Sequence, residues 1–256
     1  MSVCLTVLGS GTSHGVPMIG CDCAVCTSDD PRDKRTRASA VFSYDGHNVL
    51  VDTSPEIRLQ CVACGIRRVD AILFTHFHAD HIVGLDDVRR FNWLQGGAIA
   101  LYGDQPTLER LRRTFAYAFV DDPEYPSAKP ELHTVLLDGP LELFGRRVLP
   151  IPLMHGPLPV FGFRVADIAY CTDCSFIPDE SRKLLRDLDV LVLDAVRRRP
   201  HATHFNLAQA VAEARRIGAR RTYFTHIAHE LGHAETNAEL PAGMELAYDG
   251  LVCESE

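Results

Sequence analysis

His76-Phe77-His78-Ala79-Asp80-His81 places four side chains of metal-ligand type in six consecutive positions. His76 and His78 stand two apart, which on extended backbone turns both rings to one face, and a turn after them brings Asp80 and His81 to the same side. Three imidazoles and a carboxylate buried together without a cation would leave polar atoms unpaired and charge unbalanced. The run therefore reads as a metal site. It begins where the apolar segment Val69 to Phe74 ends, so the donors sit at the end of a buried strand.

Working outward from this run, strands and helices alternate. Val3 to Leu8 is a strand closed by the turn Gly9-Ser10-Gly11-Thr12, and Ala38 to Tyr44 and His47 to Val51 flank Asp45-Gly46, a two-residue hairpin signal. A helix is expected from Pro55 to Gly65, capped by Ser54. Beyond the histidine run come a strand at Ile99 to Tyr102, a helix from Pro106 to about Tyr117, and strands at Arg147 to Leu153, Phe161 to Val165 and Ile168 to Cys171. A helix at Pro178 to Arg186, a strand at Val190 to Leu193, a helix at Leu207 to Ile217 capped by Asn206 and a strand at Arg221 to Phe224 follow. Hairpins early and helix-separated strands late predict an α/β chain with mixed sheets and helices outside them. The Pro-containing stretch Asp121 to Pro130 reads as a surface loop rather than a domain boundary.

The chain's 256 residues, 46% hydrophobic and 23% charged, suit one globular domain, residues 1–256, with ample material for a core. A net charge of -8 argues against general capture of nucleic acid, so nucleic acid is not an expected partner. No segment approaches a membrane span and the N-terminus has no secretory pattern, so no membrane is expected and the compartment is read as cytoplasmic. Nine cysteines at tight spacings fit a reducing environment better than a disulfide framework.

Three of those thiols form Cys21-Asp22-Cys23-Ala24-Val25-Cys26, a Cys-x-Cys-x-x-Cys zinc knuckle within residues 20–30 that needs a fourth ligand. His229, three residues after His226, is placed to supply it. Cys61 and Cys64, Cys171 and Cys174, Cys4 and Cys253 read as packing residues.

The histidine run resembles the His-x-His-x-Asp-His signature of the metallo-β-lactamase superfamily. That resemblance implies an αββα sandwich of two mixed β-sheets flanked by helices, with two divalent metal ions, Zn²⁺ or Mn²⁺, at one edge. It assigns one metal to His76, His78 and His155 and the other to Asp80, His81 and His226, with Asp173 shared between them. Asp52 matches the superfamily's early aspartate and Asp194 is a similar candidate; both would orient a ligand from behind. Asp80 and His204 are the residues implied in catalysis.

The knuckle with His226 and His229 resembles the phosphodiesterase branch that acts in phosphonate breakdown, as does His204 in Thr203-His204-Phe205-Asn206. Gly9 to Pro17 is similar to the opening loop of cyclic phosphodiesterases and tRNA 3′-processing endonucleases. The resemblance implies hydrolysis of a small cyclic phosphodiester, a phosphoribosyl 1,2-cyclic phosphate or a 2′,3′-cyclic nucleotide, by a metal-bridging hydroxide, with one further structural Zn²⁺ and a homodimeric state. His204 would stabilise the phosphate or protonate the leaving alkoxide. His14 stands beside the pocket, whereas His201 reads as an exposed loop histidine. Two other outcomes are a tRNA 3′-processing endonuclease, disfavoured by the lack of a long arm, and a non-catalytic accessory protein of cofactor biosynthesis, disfavoured because all seven ligand positions are filled. Arg197-Arg198-Arg199 and the arginines of Leu108 to Arg113 would meet a second phosphate or, more commonly, form a solvated face.

Overall fold

The computed structural model of the chain describes residues 2–120 and 129–255. Most of the loop expected from Asp121 to Pro130 lies outside the described residues. The first half supplies strands β1 (Cys4–Gly9), β2 (Ser39–Tyr44), β3 (His47–Val51), β4 (Ala71–Leu73), β5 (Ile99–Gly103) and β6 (Leu132–Leu136). The second half supplies β7 (Leu141–Leu143), β8 (Arg146–His155), β9 (Leu158–Val165), β10 (Ile168–Cys171), β11 (Val190–Asp194), β12 (Arg221–Thr225), β13 (Met244–Leu246) and β14 (Leu251–Glu254).

Two seven-stranded sheets result, ordered β14-β1-β2-β3-β4-β5-β6 and β13-β12-β11-β10-β9-β8-β7. Each starts antiparallel and turns parallel: β1, β2 and β3 are antiparallel neighbours while β3 to β6 run parallel, and β7 to β10 are antiparallel while β10 to β13 run parallel. The β2–β3 hairpin turns on Asp45 and Gly46, both at positive φ, 50° and 81°, the twist that suits a two-residue connection. Every residue of β10 and β11 is buried, which explains their unbroken apolar runs.

The inner faces of the two sheets share one core, in which Val7, Phe42 and Leu73 meet Phe163, Tyr170 and Val192. The outer face of the first sheet is covered by α1 (Ile57–Ala63), α2 (Ala79–Ile82), a 3-10 segment at Val83–Val88, α3 (Arg89–Gln95), α4 (Gln105–Thr114) and α5 (Ala116–Phe119). The outer face of the second is covered by α6 (Asp179–Leu184), α7 (Leu207–Ile217) and α8 (His233–Glu239). The layers are thus αββα, and no helix among the described residues is long and apolar enough to cross a membrane.

The helix expected from Pro106 to about Tyr117 is α4, which ends at Thr114, followed by the separate α5, and the start of α1 also differs from expectation. Ser54 does not cap α1: the helix begins at Ile57 after Glu56, and the Ser54 hydroxyl donates instead to Gln60 Oε1 at 2.8 Å. Pro55 lies before the helix and not in it. Asn206 does cap α7, accepting from Gln209 N at 2.9 Å while its own N–H donates to Gln209 Oε1 at 3.0 Å.

Candidate metal centre and its pocket

One edge of the sandwich gathers the ends of strands from both sheets. Asp52 follows β3, His76 lies just past β4, His78 precedes α2, and Asp80 and His81 fall in its first turn. From the second sheet, His155 ends β8, Asp173 lies just past β10, Asp194 ends β11 and His226 follows β12. Parallel strands that stop together leave a crevice at their carboxyl ends, where side chains of distant sequence converge.

Ligand-type atoms of His76, His78, His155 and Asp173 lie within 4.8 Å of one another, as do those of Asp80, His81, Asp173 and His226. Asp173 belongs to both groups. Its Oδ2 stands 3.2 Å from His81 Nε2, 3.3 Å from His226 Nε2 and 3.8 Å from His76 Nε2.

Three histidines have their free nitrogen dictated from behind. Asp52 accepts at Oδ2 from His81 Nδ1 at 2.7 Å, and from the Thr75 N–H at Oδ1 and hydroxyl at Oδ2, each at 2.8 Å. With its proton given to Asp52, the Thr75 oxygen is left to accept from His76 Nδ1 at 2.9 Å. His155 Nδ1 donates to the Thr203 carbonyl at 2.7 Å. Each bond leaves Nε2 as a lone pair aimed into the crevice.

Those lone pairs are otherwise unspent. His76 Nε2, His81 Nε2 and His226 Nε2 are buried and have no hydrogen-bond partner. Orphaned buried acceptors are costly in a folded protein unless something pairs with them. Imidazole and carboxylate donors in this arrangement fit a pair of divalent cations.

The electrostatics agree. Burial drives His76, His78 and His155 below the usual imidazole range. Burial would do the same to His81, but Asp173, Asp52 and Asp80 outweigh it and hold the ring well above that range, so without a cation its Nε2 carries a proton facing Asp173, and a bound ion would displace that proton. Burial also opposes ionisation of Asp173 and Asp80, yet neighbouring His81 and His226 keep both carboxyls well below their ordinary values. The carboxylates therefore stay charged, and the crevice invites positive charge.

His204 sits against this centre. Its ring stacks on His226 with centroids 4.6 Å apart and meets His155 edge-on at 4.5 Å. Asp194 does not reach a ligand histidine from behind; its Oδ2 accepts from His204 Nδ1 at 2.6 Å and from the Cys174 N–H at 2.8 Å. Burial pulls the His204 imidazolium down, but Asp194 outweighs it and carries the group up to about 9.

Beside His204 opens a cavity of about 310 Å³ whose walls include Ser13, His14, Arg197, Arg199 and His201. His201 is half-buried in that wall, 4.9 Å from the His204 ring, and so is not the exposed loop histidine its sequence suggests. Arg110 lies elsewhere, over the Phe77 ring.

The knuckle closes the same wall from behind. Sulfur atoms of Cys21, Cys23 and Cys26 and a nitrogen of His229 lie within 4.8 Å of one another. His229 Nδ1 is 3.2 Å from Cys21 Sγ and 3.3 Å from Cys23 Sγ, while Met18 N–H donates to Cys26 Sγ at 3.3 Å. The Cys26 N–H and the neighbouring groups lower the Cys23 thiol to about 6, whereas burial raises Cys26 to about 11. One soft, compact set of three sulfurs and a ring nitrogen fits a tetrahedral zinc. The remaining cysteines belong to no such cluster among the described residues; Cys61, Cys171 and Cys174 pack in the outer cores.

Two residues of the centre were not legible in sequence: Thr75 and Thr203, which hold His76 and His155. Their only signal was adjacency to a histidine of the site, His76 for Thr75 and His204 for Thr203.

The sequence model of the beta-lactamase superfamily domain matches residues 47–227. A solved structure described as a new diphosphatase from the PhnP family is 48% identical, with a TM-score of 0.93 over 100% of this chain and 98% of that one. Zn²⁺-bound PqqB from Methylobacterium extorquens, 20% identical, shares the fold with a TM-score of 0.80 over 98% of this chain and 99% of that one. An octanoyltransferase of Porphyromonas gingivalis (strain ATCC BAA-308 / W83) is 37% identical over 248 residues, 96% of this chain but 50% of that protein, so the chain spans about half the length of this curated relative. With its αββα layers, its strand-end donors and these likenesses, the chain belongs to the metallo-β-lactamase superfamily, in the PhnP-like branch.

Proposed function

We propose that this protein is a metal-dependent phosphodiesterase acting on a small cyclic phosphodiester, a phosphoribosyl 1,2-cyclic phosphate or a 2′,3′-cyclic nucleotide. The observation that carries this reading is the pair of donor clusters sharing Asp173, with the Asp194-held His204 stacked against them.

His76, His78, His155 and Asp173 would hold one divalent cation, and Asp80, His81, His226 and Asp173 the other, with Zn²⁺ or Mn²⁺ as candidates. When bound, such ions supply Lewis-acid neutralisation of phosphoryl oxygens and make water nucleophilic at neutral pH. The protein's own contribution is positional. Asp52, Thr75 and the Thr203 carbonyl fix the rings so that no reorganisation is needed when charge develops. Asp194 occupies Nδ1 of His204 and favours the protonated ring, leaving the Nε2–H to donate to a phosphoryl oxygen or to the departing alkoxide. The knuckle would hold a third, structural zinc that shapes the pocket wall, and two copies of the chain would form the working unit.

The likeness to a PhnP-family diphosphatase supports phosphoryl chemistry. The cavity of about 310 Å³ is at the small end for ligand sites and suits a nucleotide-sized molecule rather than folded tRNA. The experiment is a panel on metal-loaded protein: bis(p-nitrophenyl) phosphate, 2′,3′-cyclic AMP, 5-phosphoribosyl 1,2-cyclic phosphate and a tRNA precursor. Rapid opening of a cyclic diester with negligible tRNA cleavage is expected. Preferred tRNA cleavage would select the endonuclease, and inertness with one zinc and no exchangeable pair would select an accessory role.

A further inference from the structure

Of the four buried ligand histidines, His76, His81 and His155 are held at Nδ1. The fourth, His226, is not: its Nδ1 has no hydrogen-bond partner among the described residues. Its backbone stands at φ 60°, a region that a residue with a Cβ occupies only where its surroundings impose it. The place of the ring is therefore set by the segment that carries it. His229, three residues on, belongs to the knuckle, so a single strap supplies one donor to each kind of metal site.

Against that strap lies Arg35, whose side chain is 0% exposed. A guanidinium taken out of water is costly unless its N–H groups are met. Here Nε donates to Arg32 O at 3.1 Å, Nη2 to Asp33 Oδ1 and to Leu231 O, each at 2.8 Å, and Nη1 to Ala228 O at 3.4 Å. Ala228 stands between the two histidines and Leu231 just past them. Asp33 Oδ1 also accepts from the His233 N–H at 2.8 Å, so one carboxylate aims the guanidinium and holds the start of α8. On the knuckle side, the Arg35 N–H donates to Val16 O at 2.7 Å and Arg35 O accepts from the Val16 N–H at 2.8 Å, while the Lys34 ammonium donates to Cys26 O at 3.2 Å. Arg35 thus belongs to neither donor set, yet grips the backbone beside both.

Resting on the reading of the crevice and the knuckle as metal sites, we propose that Arg35 is a positioning residue for both: its hold on the Ala228 and Leu231 carbonyls sets where His226 and His229 point. Backbone pairing with Ser10, Thr12 and Val196 pins the strap as far as the Ala228 N–H. Beyond it, the guanidinium reaches across to the two carbonyls. Each residue has only two soft backbone dihedrals, so fixing the Ala228 peptide plane restricts the residues on either side of it. Arginine suits the task because its rigid fork meets a carboxylate and several carbonyls at once, which a point-charge ammonium does not.

Cobalt(II) reads the two kinds of site separately, because thiolate ligands give an intense charge-transfer absorption that imidazole and carboxylate ligands lack. When the cobalt-loaded protein is titrated with a coloured chelator, Arg35→Met should hold metal about 10- to 100-fold more weakly than the parent at the crevice and at the knuckle alike. Arg35→Lys keeps a charge beside Asp33 without reaching both carbonyls. It should recover part of the melting temperature measured in excess chelator, but not the metal affinities. Parental affinity at either site in the folded variants, or full rescue of affinity by lysine, would overturn the positioning role. Should neither variant fold, Asp33→Asn decides, since it loosens the aim of the guanidinium without removing it: a smaller loss at both sites upholds the role, and no loss at one of them overturns it. A parent protein that takes up no exchangeable cobalt in the crevice, or none with thiolate absorption, would instead refute the metal reading, and the positioning role with it.

Discussion

Asp52 satisfies three donors at once, the Thr75 N–H, the Thr75 hydroxyl and His81 Nδ1. An amide of the same shape turns one of its two acceptor oxygens into a donor, so Asp52→Asn should leave the His81 ring poorly held. Affinity for the active-site metals should drop about 10- to 100-fold, read by competition with a coloured chelator. Unchanged affinity would show that His81 needs no such support. Asp173→Ala goes further, because both clusters lose a member. Turnover should vanish while one zinc per chain remains in the knuckle, and metal analysis that still finds an exchangeable pair would refute the sharing. The donors were legible because ligand chemistry demands His, Asp and Cys in crowded or strand-end positions. Thr75 and Thr203 were not, since one acts through a hydroxyl common everywhere and the other through a carbonyl that any residue possesses. Asp194 was legible as important but not in its direction, which only the fold decides.

At the scale of elements, the helix that follows His204 begins with a capping box. Asn206→Ala should cost about 1 kcal/mol, and the melting temperature should fall by about 2–4 °C. A loss of turnover without that thermal change would mean that Asn206 serves the site rather than the helix. Asp189, just ahead of β11, joins it to the start of β12 by accepting from Arg220 and, at 2.7 Å, from Arg221. Hydrogen bonding from Arg220, then Arg221, holds this carboxyl at about 2 against an ordinary 3.8. A depressed carboxylate contributes fully above its unfolded value and loses the contribution as pH falls through its folded one. Asp189→Asn should therefore melt lower than the parent at neutral pH, with the gap closing between about pH 4 and pH 2; a gap independent of pH would assign the effect to packing. Central strands such as β10 and β11 could be read from their apolar runs. The short edge strands β7 and β13, of three residues each, could not, because half-exposed segments have neither an apolar run nor a clean alternation.

For the whole molecule, the metal centre draws His76, His78, Asp80 and His81 from the first sheet and His155, Asp173 and His226 from the second. Cations bound there stabilise the folded chain alone, by about 4 kcal/mol when free metal is a thousandfold above its dissociation constant. Chelation should lower the melting temperature accordingly, and calorimetry that finds none of that stabilisation would count against loaded sites in the native protein. The sandwich was legible from the resemblance that the histidine run carries, which with the opening loop, the knuckle and His204 extends from Val3 to Gly250; the pairing of β14 with β1 was not, because no local pattern announces which strand Leu251–Glu254 will join. The two kinds of metal site also differ in how far apart their donors lie along the chain. Three knuckle thiols occupy six consecutive residues, from Cys21 to Cys26, but their fourth ligand, His229, lies three residues beyond His226, so one short segment completes both the knuckle and the crevice. During synthesis on the ribosome, then, neither site has its full set of donors until the segment from His226 to His229 emerges.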